Sequence, residues 1–310
     1  MTRDLVIRRC GELAIAVAIA VALLATRAGA QRPLDGVIDI HVHSAPDNVE
    51  RSIDSIDVAK LARERGMRAI VLKSHYEPTA TMAFIVRKEV PGIEVFGGID
   101  LNLSVGGMNA VAVEHMTQVT GGYGRMVWMS TFDAENQVRY SKENRPFVRV
   151  SRDGQLVQEV KDVIGVIAKH PQLVLATGHV SPDEGLMLLR EGKRQGVKHM
   201  VVTHAMMQPV LMTVAQMQAA AKEGAFVEFV AGSIAGRGGQ EKVDAYADAI
   251  NKVGAESCIL ASDLGQKGNA LPPDGLAAFI AALRMRGMTA AQIDLIAKRN
   301  PARLLDLPSP

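Results

Sequence analysis

The sequence predicts an α/β fold, a single-domain (β/α)8 TIM barrel, and three observations support this prediction. Short apolar runs rich in β-branched residues alternate with longer segments of helical period from residue 36 onwards. Most of these runs are apolar throughout, as expected for parallel strands that are buried on both faces. The strand–helix units together span about 275 residues, close to the usual ~250 of such a barrel.

The predicted strands and helices alternate strictly, which favours right-handed βαβ units. A doubly wound open sheet is the alternative, although no Gly-rich phosphate-binding sequence follows the first strand. The predicted strands are Val37–His41, Ala69–Leu72, Glu94–Ile99, Arg125–Met129, Leu173–Ala176, His199–Val202, Ala225–Val230 and Cys258–Ala261. The predicted helices include Ile56–Arg65, Met82–Val90, Leu156–Lys169, Glu184–Gln195, Val214–Lys222, Val243–Lys252 and Leu276–Met285.

Residues 1–30 have the pattern of a secretory signal peptide, which would leave residues 31–310 as the mature chain. Arginines precede an apolar run, Leu13–Ala25, and the small-residue site Ala28-Gly29-Ala30 follows it. A membrane anchor is the alternative, but a bilayer span needs about 20 apolar residues. We therefore expect an exported protein, periplasmic or secreted, that is free of the membrane after cleavage.

The charge of the mature chain argues against a nucleic-acid partner. The full sequence has 35 basic and 33 acidic residues, and residues 1–30 hold four of the former and two of the latter, so 31 of each remain. No basic excess is left to neutralise phosphates. The expected partner is a small-molecule substrate, and association into a homo-oligomer is left open. Cys258 would be the one cysteine of the mature chain, which excludes an internal disulfide.

Residues 130–153 form a long polar connection after the fourth strand. In a barrel, this connection lies at the carboxyl-terminal end of the strands, where active sites are built. Loops longer than about 15 residues are uncommon unless they have a function. We interpret the segment as a lid or substrate loop; a surface insertion without a function is the alternative.

His41 and His43 lie at the end of the first predicted strand, separated by Val42. Alternate residues of a strand share a face, so both imidazoles should point into the barrel while Val42 faces the helices. Two imidazoles on one rigid strand form a chelating pair that suits Zn2+.

Three further strands end in residues that bind metals. His179 follows the fifth strand, His204 the sixth and Asp263 the eighth. Singly, each could be a structural core histidine or a capping aspartate. Because the carboxyl ends of barrel strands converge, together with His41 and His43 they predict a site for one or two divalent ions, most simply zinc.

In these elements the sequence resembles the amidohydrolase superfamily of metal-dependent hydrolases. The resemblance covers the whole mature chain, and a Lys-Ser-His after the second strand is similar to that of a group of uncharacterised amidohydrolase-related proteins. The matching residues are His41, His43, His179, His204, Asp263 and the closing segment Arg299-Asn300-Pro301-Ala302-Arg303-Leu304-Leu305, which is similar to the superfamily's Asn-Pro-Ala-basic-Leu ending.

The sequence departs from that pattern at the fourth strand, where binuclear members carry a carboxylated Lys or a Glu between two metals. Met126-Val127-Trp128-Met129 offers neither. Instead, Lys73 and His75 share a face at the end of the second strand. Lys73 could be carboxylated, could clamp the substrate, or could neutralise a nearby carboxylate, and a buried ion pair with Glu228 is one such possibility. The number of metal ions stays one or two.

The resemblance implies a hydrolase in which a metal-activated water attacks an amide, ester or related C–N or C–O bond. Asp263 would act as general base and then acid. His204, if it is not a ligand, would polarise the scissile carbonyl, and Lys73 or His75 would orient the substrate. The same residues would serve a metal-dependent decarboxylase, or a phosphoester or lactone hydrolase. An exported metal- or ligand-binding barrel without turnover is the non-enzymatic alternative, which the proton-accepting Asp263 disfavours.

Overall fold

Eight parallel strands form the centre of the molecule in the computed structural model, which describes residues 34–234 and 239–308. The last strand returns to the first, because the Asp263 backbone N–H donates to the His41 carbonyl at 2.9 Å and that of His43 donates to the Leu264 carbonyl at 2.9 Å. The sheet therefore closes, which confirms the predicted (β/α)8 barrel over the open sheet. The strands β1 to β8 are Ile38–His43, Ala69–Lys73, Glu94–Asp100, Gly124–Trp128, Val174–Ala176, His199–Val202, Phe226–Val230 and Cys258–Ala261.

The helices surround this barrel, and several begin at side-chain caps that the sequence supplies. Ser181 and Glu184 form a reciprocal capping box, as do Thr213 and Gln216. A π-helical segment, Leu295–Arg299, precedes the last helix. The α-helices of the described chain, α1 to α11, are Ser55–Glu64, Ala80–Glu89, Ala110–Thr117, Glu135–Tyr140, Gln158–Lys169, Pro182–Gln195, Val214–Lys222, Gly239–Val253, Pro272–Met285, Ala290–Asp294 and Asn300–Leu304.

The barrel has two apolar layers, one inside the strands and one between strands and helices. Ile38, Ile40 and Trp128 belong to the inner layer, whereas Val42 packs in the outer layer, as predicted. The pairing of β1 with β2 shifts register between Asp39 and Val42. This irregularity interrupts the alternation of the strand, and such bulges commonly re-aim side chains beside active sites.

The carboxyl-terminal helix, α11, closes the end of the barrel at which the strands begin. The Asn300 side chain donates to the carbonyls of Ala255 and Cys258, both at 2.8 Å, beside the first residue of β8. Leu304 and Leu305 continue the inner apolar layer. A ligand can therefore approach the barrel interior from the carboxyl ends of the strands. In the described part of the chain, no helix is long and apolar enough to span a bilayer.

The structure corrects several predicted boundaries. The first strand continues through His43 instead of ending at His41. The segment 130–153 is not one irregular loop, since it contains α4 and the first strand of a short hairpin, Ser151–Arg152 with Gln155–Leu156. The predicted signal peptide, residues 1–30, lies outside the described residues.

Candidate metal centre

His41, His43 and Asp263 come together at the seam between β1 and β8. The Nε2 atom of His41 lies 3.1 Å from Asp263 Oδ1, and the Nε2 atom of His43 lies 3.3 Å from the same oxygen. One ligand atom from each residue lies within 4.8 Å of the other two, and all three residues are buried. Two imidazole nitrogens and a carboxylate oxygen in this arrangement can hold a divalent metal ion.

The local backbone fixes these three side chains. Asp39, which is fully buried, accepts hydrogen bonds from the backbone N–H groups of His41 at 3.1 Å and Ser262 at 2.9 Å, and so ties the two strand ends together. Asp263 has a positive φ of 48°, a conformation that a non-glycine residue adopts at some cost in strain. Gly265 follows with a φ of 124°, and a Cβ there would collide with the backbone carbonyl of His43.

Glu228 on β7 orients His41 from the side away from Asp263. Its carboxylate oxygens lie 3.2 and 3.3 Å from His41 Nδ1, and one of them accepts the backbone N–H of His204 at 2.7 Å. A carboxylate on one ring nitrogen fixes the ring and leaves the other nitrogen to bind metal, which is the usual arrangement for histidine ligands. The predicted ion pair between Glu228 and Lys73 is therefore wrong, because His41 and His204 occupy that carboxylate.

A metal ion fits these residues because it would satisfy atoms that the described protein leaves without hydrogen bonds. The Nε2 atom of His41 and the Nδ1 atom of His204 are buried and have no hydrogen-bond partner. Leaving such groups unpaired costs roughly 1–3 kcal/mol each. His41 Nε2 is close to Asp263 but lacks hydrogen-bond geometry with it, and a shared cation would restore a favourable contact for both.

The pKa shifts of His41 and Asp263 also support a cation-binding site. Burial opposes a charged imidazole, but Asp263 and Glu228 outweigh it and raise the pKa of His41 to about 9. Burial likewise opposes a charged Asp263, yet His41 holds the pKa of that carboxyl well below its usual range. A proton on His41 balances the charge of Asp263 in the same way as a metal cation would. Protonation of His41 and metal binding should therefore compete.

His179 and His204 border this group. Their ring centroids are 4.7 Å apart, and the His204 ring is 6.0 Å from that of His41. The Nδ1 atom of His179 lies 2.9 Å from Gln137 Oε1 on α4, which leaves its Nε2 atom to face the site. The structure therefore gathers all five predicted residues, with His41, His43 and Asp263 as the tightest set.

Lys73 belongs to a second buried cluster, between β2 and β3. Its Nζ atom lies 3.5 Å from Asp100 Oδ2 and 5.2 Å from the centre of the Trp128 ring, and it makes no hydrogen bond. Asp100 also accepts the Thr131 hydroxyl at 3.0 Å. Burial raises the pKa of Asp100 to about 6, against the lowering effect of Lys73.

His75 connects this second cluster to the site. Its Nδ1 atom lies 2.8 Å from Thr131 Oγ1 and 3.3 Å from Asp100 Oδ2, while its ring centroid lies 4.8 Å from that of His43. Asn102 donates to the His75 carbonyl and to Thr131 Oγ1, both at 2.7 Å. These bonds hold the His75 ring beside the candidate metal ligands.

A cavity of about 320 Å³ opens above both clusters. The segment after β4 supplies part of its wall through Phe132 and through Gln137 and Tyr140 of α4. The segment therefore borders the cavity, and its role as a lid or substrate loop stays a prediction. Sequence reasoning did not single out Gln137 or Arg51, which also lines the cavity. Arg51 could have been noticed, because it follows the first strand on the same end of the barrel as His43.

Residues 36–228 match DUF6282, a family of unknown function. The match spans more than half of the sequence, and the chain belongs to this family. No curated protein sequence matches the chain.

Solved structures share the barrel at low sequence identity. An amidohydrolase from Pseudomonas aeruginosa is 15% identical with a TM-score of 0.60, over 89% of this chain and 97% of its own. A phosphotriesterase homology protein from Escherichia coli, with phosphate in its active site, is 17% identical with a TM-score of 0.60, over 88% and 99%. An amidohydrolase from Burkholderia multivorans with bound zinc is 14% identical with a TM-score of 0.58, over 88% and 99%. These likenesses confirm the resemblance to amidohydrolases at the level of the fold.

Proposed function

We propose that this protein is a metal-dependent hydrolase that cleaves an amide, ester or related C–N or C–O bond of a small molecule. The observation that carries this proposal is the buried group of His41, His43 and Asp263, whose ligand atoms lie within 4.8 Å of one another at the carboxyl-terminal end of a barrel. Structures that share the fold are named as amidohydrolases, which supports the amide or ester class, and one is named as a phosphotriesterase homology protein, which keeps phosphoesters as the alternative.

The metal we propose is one Zn2+ ion. His41, His43 and His179 would hold it, with Asp263 coordinating weakly and His204 beside it, a nitrogen-rich donor set that suits zinc. When bound, such an ion acts as a Lewis acid and lowers the pKa of a water molecule toward neutrality.

Asp263 is the residue that would move the proton. Its oxygen faces both imidazoles of β1, and its low pKa keeps the carboxylate ionised. It would take a proton from the attacking water and return it to the leaving group, as a general base and then a general acid.

His204 and His75, which both line the cavity, would act on the substrate. His204 borders the proposed ligands and, where it does not itself bind the metal, would stabilise the developing oxyanion. His75 lines the cavity and would orient a polar group. Lys73 is deeper, and its ion pair with Asp100 supports a free ammonium instead of a carboxylated, bridging side chain. This favours one metal ion over two.

The test is metal content together with turnover. We expect the purified protein to bind one Zn2+ per chain and to hydrolyse members of a panel of amides and esters, with activity lost on chelation and restored by zinc. Activity only on phosphoesters or lactones, or only on carboxylic acids with release of carbon dioxide, would replace the proposed bond class by one of the alternatives. Zinc binding without turnover of any substrate would leave a metal-binding barrel, and the absence of zinc binding would remove the proposal.

We also propose that residues 1–30 direct export and are removed, so that the chain acts in the periplasm or outside the cell. The arginines, the apolar run and the Ala28-Gly29-Ala30 site support this. Expression of the full chain should yield a mature protein whose amino terminus is Gln31. Retention of residues 1–30 on the purified protein would contradict it.

A further inference from the structure

Arg51 is a buried cation in the wall of the cavity above the candidate metal ligands. It lines this cavity together with His43 and Asp263, and it is the one arginine or lysine among the described lining residues. Its side chain is only 4% exposed. Burying a guanidinium requires partners for its charge and its donors, so the groups around Arg51 show what it can still bind.

Asp47 satisfies one edge of the Arg51 guanidinium. The Nε and Nη2 atoms of Arg51 donate to the same Asp47 oxygen, at 2.8 and 2.7 Å, and the other oxygen accepts the backbone N–H of Asn48 at 2.7 Å. The Nη1 atom donates to no described residue. The edge formed by Nη1 and the second hydrogen of Nη2 therefore keeps a pair of parallel donors.

The backbone holds Arg51 in a fixed position relative to the candidate metal ligands. The N–H of Ser52 donates to the carbonyl of Gly265 at 2.9 Å, and Arg51 forms a β-bridge with Gln266. Both partners lie within three residues of Asp263 in the chain. A group bound by Arg51 would accordingly be held at a constant distance from the metal-binding residues.

We propose that Arg51 binds a carboxylate of the substrate while the scissile bond lies at the metal centre; this inference rests on the proposed function. Two parallel N–H donors match the two oxygens of a carboxylate. Because Asp47 already neutralises the guanidinium, a monoanion is favoured over a doubly charged phosphate. Arg51 would thus select small carboxylic acids that contain a hydrolysable bond.

Hydroxamates test this with the zinc-loaded protein, because they chelate zinc whether or not a substrate is known. The probes are the monohydroxamates of malonic, succinic and glutaric acid, each compared with the uncharged alkyl hydroxamate of equal length by calorimetry. We expect at least one carboxylated probe to bind wild type about tenfold to a hundredfold more tightly than its uncharged partner, as for charge-assisted hydrogen bonds. Arg51→Gln should abolish this difference.

Two further variants keep the result interpretable. Arg51→Gln leaves the buried Asp47 without its partner, so the double variant Asp47→Asn with Arg51→Gln provides a neutral version of the pair. Arg194→Gln removes an arginine that pairs with Glu191 at an exposed position and should preserve the preference. A carboxylate preference that survives in the double variant, or that no probe shows in wild type, overturns the role of Arg51. If no hydroxamate of either kind binds, the metal centre itself fails, and this inference with it.

Discussion

Two buried polar clusters lie side by side in the barrel, and they handle charge differently. The first joins β1, β7 and β8; the second joins β2 and β3. In the first, two imidazole nitrogens face one oxygen of Asp263 at 3.1 and 3.3 Å. In the second, the cation of Lys73 faces the anion of Asp100 at 3.5 Å, and Thr131 donates to the same carboxylate.

The first cluster has unbalanced negative charge that a bound cation could neutralise, whereas the second cluster already contains the cation of Lys73. Two buried carboxylates, Asp263 and Glu228, face the imidazoles of the first cluster, and among the described residues no lysine or arginine pairs with either. Protonation of His41 offsets only one of these two negative charges, whereas a divalent metal ion would offset both. The second cluster is neutral when Lys73 and Asp100 are both charged, so it needs no metal. The following variants test this distinction.

The largest effect should come from removing the chelating pair of the first cluster. His41→Ala with His43→Ala takes away two of the proposed nitrogen ligands, so zinc binding and hydrolysis should both become undetectable. The measurement is zinc per chain by elemental analysis, beside turnover of the best substrate. His115→Ala, at an exposed position on α3, is the matched control. A double variant that still binds one zinc ion would show that the metal site lies elsewhere.

Asp263→Asn should separate binding from turnover within the same cluster. An amide oxygen can remain near the metal but cannot take a proton, so we expect kcat to fall by about 10²–10⁴-fold, the range of general acid–base catalysis. Zinc content should stay near one ion per chain. The control is Asp248→Asn, which alters an exposed carboxylate that pairs with Lys252. Near-normal turnover in Asp263→Asn would assign the proton transfer to another group.

The features that depend on the periodicity of the sequence could be predicted. Apolar runs and helical spacing predict the barrel, and strand ends place His41, His43 and Asp263 at one end of it. The irregularity in β1 could not be predicted, since neither glycine nor proline lies between Asp39 and Val42. Strand alternation alone would put His41 opposite Ile40, and the shift in register is known only from the pairing with β2.

The sequence also could not predict which buried acidic residue pairs with which buried basic residue. A pair between Lys73 and Glu228 was one of the alternatives, yet the carboxylate that Lys73 pairs with is Asp100 on the adjacent strand. Both acids point into the barrel, and only the positions of their strands around it decide which one Lys73 reaches. Arg51 was missed for a similar reason: it lies in a loop, and its place in the cavity depends on contacts with the loop that contains Gly265.

Glu228→Gln should produce a smaller effect on the first cluster. The variant keeps the shape of the side chain but removes the negative charge beside His41 Nδ1, so the imidazole becomes a weaker ligand. Loss of such an orienting carboxylate typically lowers metal affinity by about 10–100-fold. Zinc competition against a chromophoric chelator measures this affinity, with Glu89→Gln on the exposed end of α2 as control. Unchanged affinity would mean that Glu228 serves only to hold the His204 backbone.

Lys73→Met should leave zinc content unchanged, because Lys73 pairs with Asp100 and is not one of the proposed metal ligands. The variant should instead destabilise the fold, since removal of one partner from a buried ion pair typically costs about 3–5 kcal/mol. If Lys73 were carboxylated and bridged two ions, this substitution would lower the zinc count, and mass spectrometry of the wild type would show the carbamate.

The loss of stability caused by Lys73→Met should depend on pH. Whether this loss grows or shrinks as the pH rises shows whether Asp100 is the partner of Lys73. Burial raises the pKa of Asp100 to about 6 from its ordinary 3.8, so the folded state holds the proton more tightly than the unfolded chain. Protonated Asp100 therefore stabilises the folded state. This stabilisation is complete below pH 3.8 and disappears as the pH rises through about 6. Without Lys73 the pKa of Asp100 should rise further. The stability difference between wild type and Lys73→Met, measured by urea unfolding of metal-free protein, should therefore be small near pH 4 and large at pH 8. Adding Asp100→Asn to Lys73→Met should remove most of this pH dependence; if it persists, another carboxylate is the partner of Lys73.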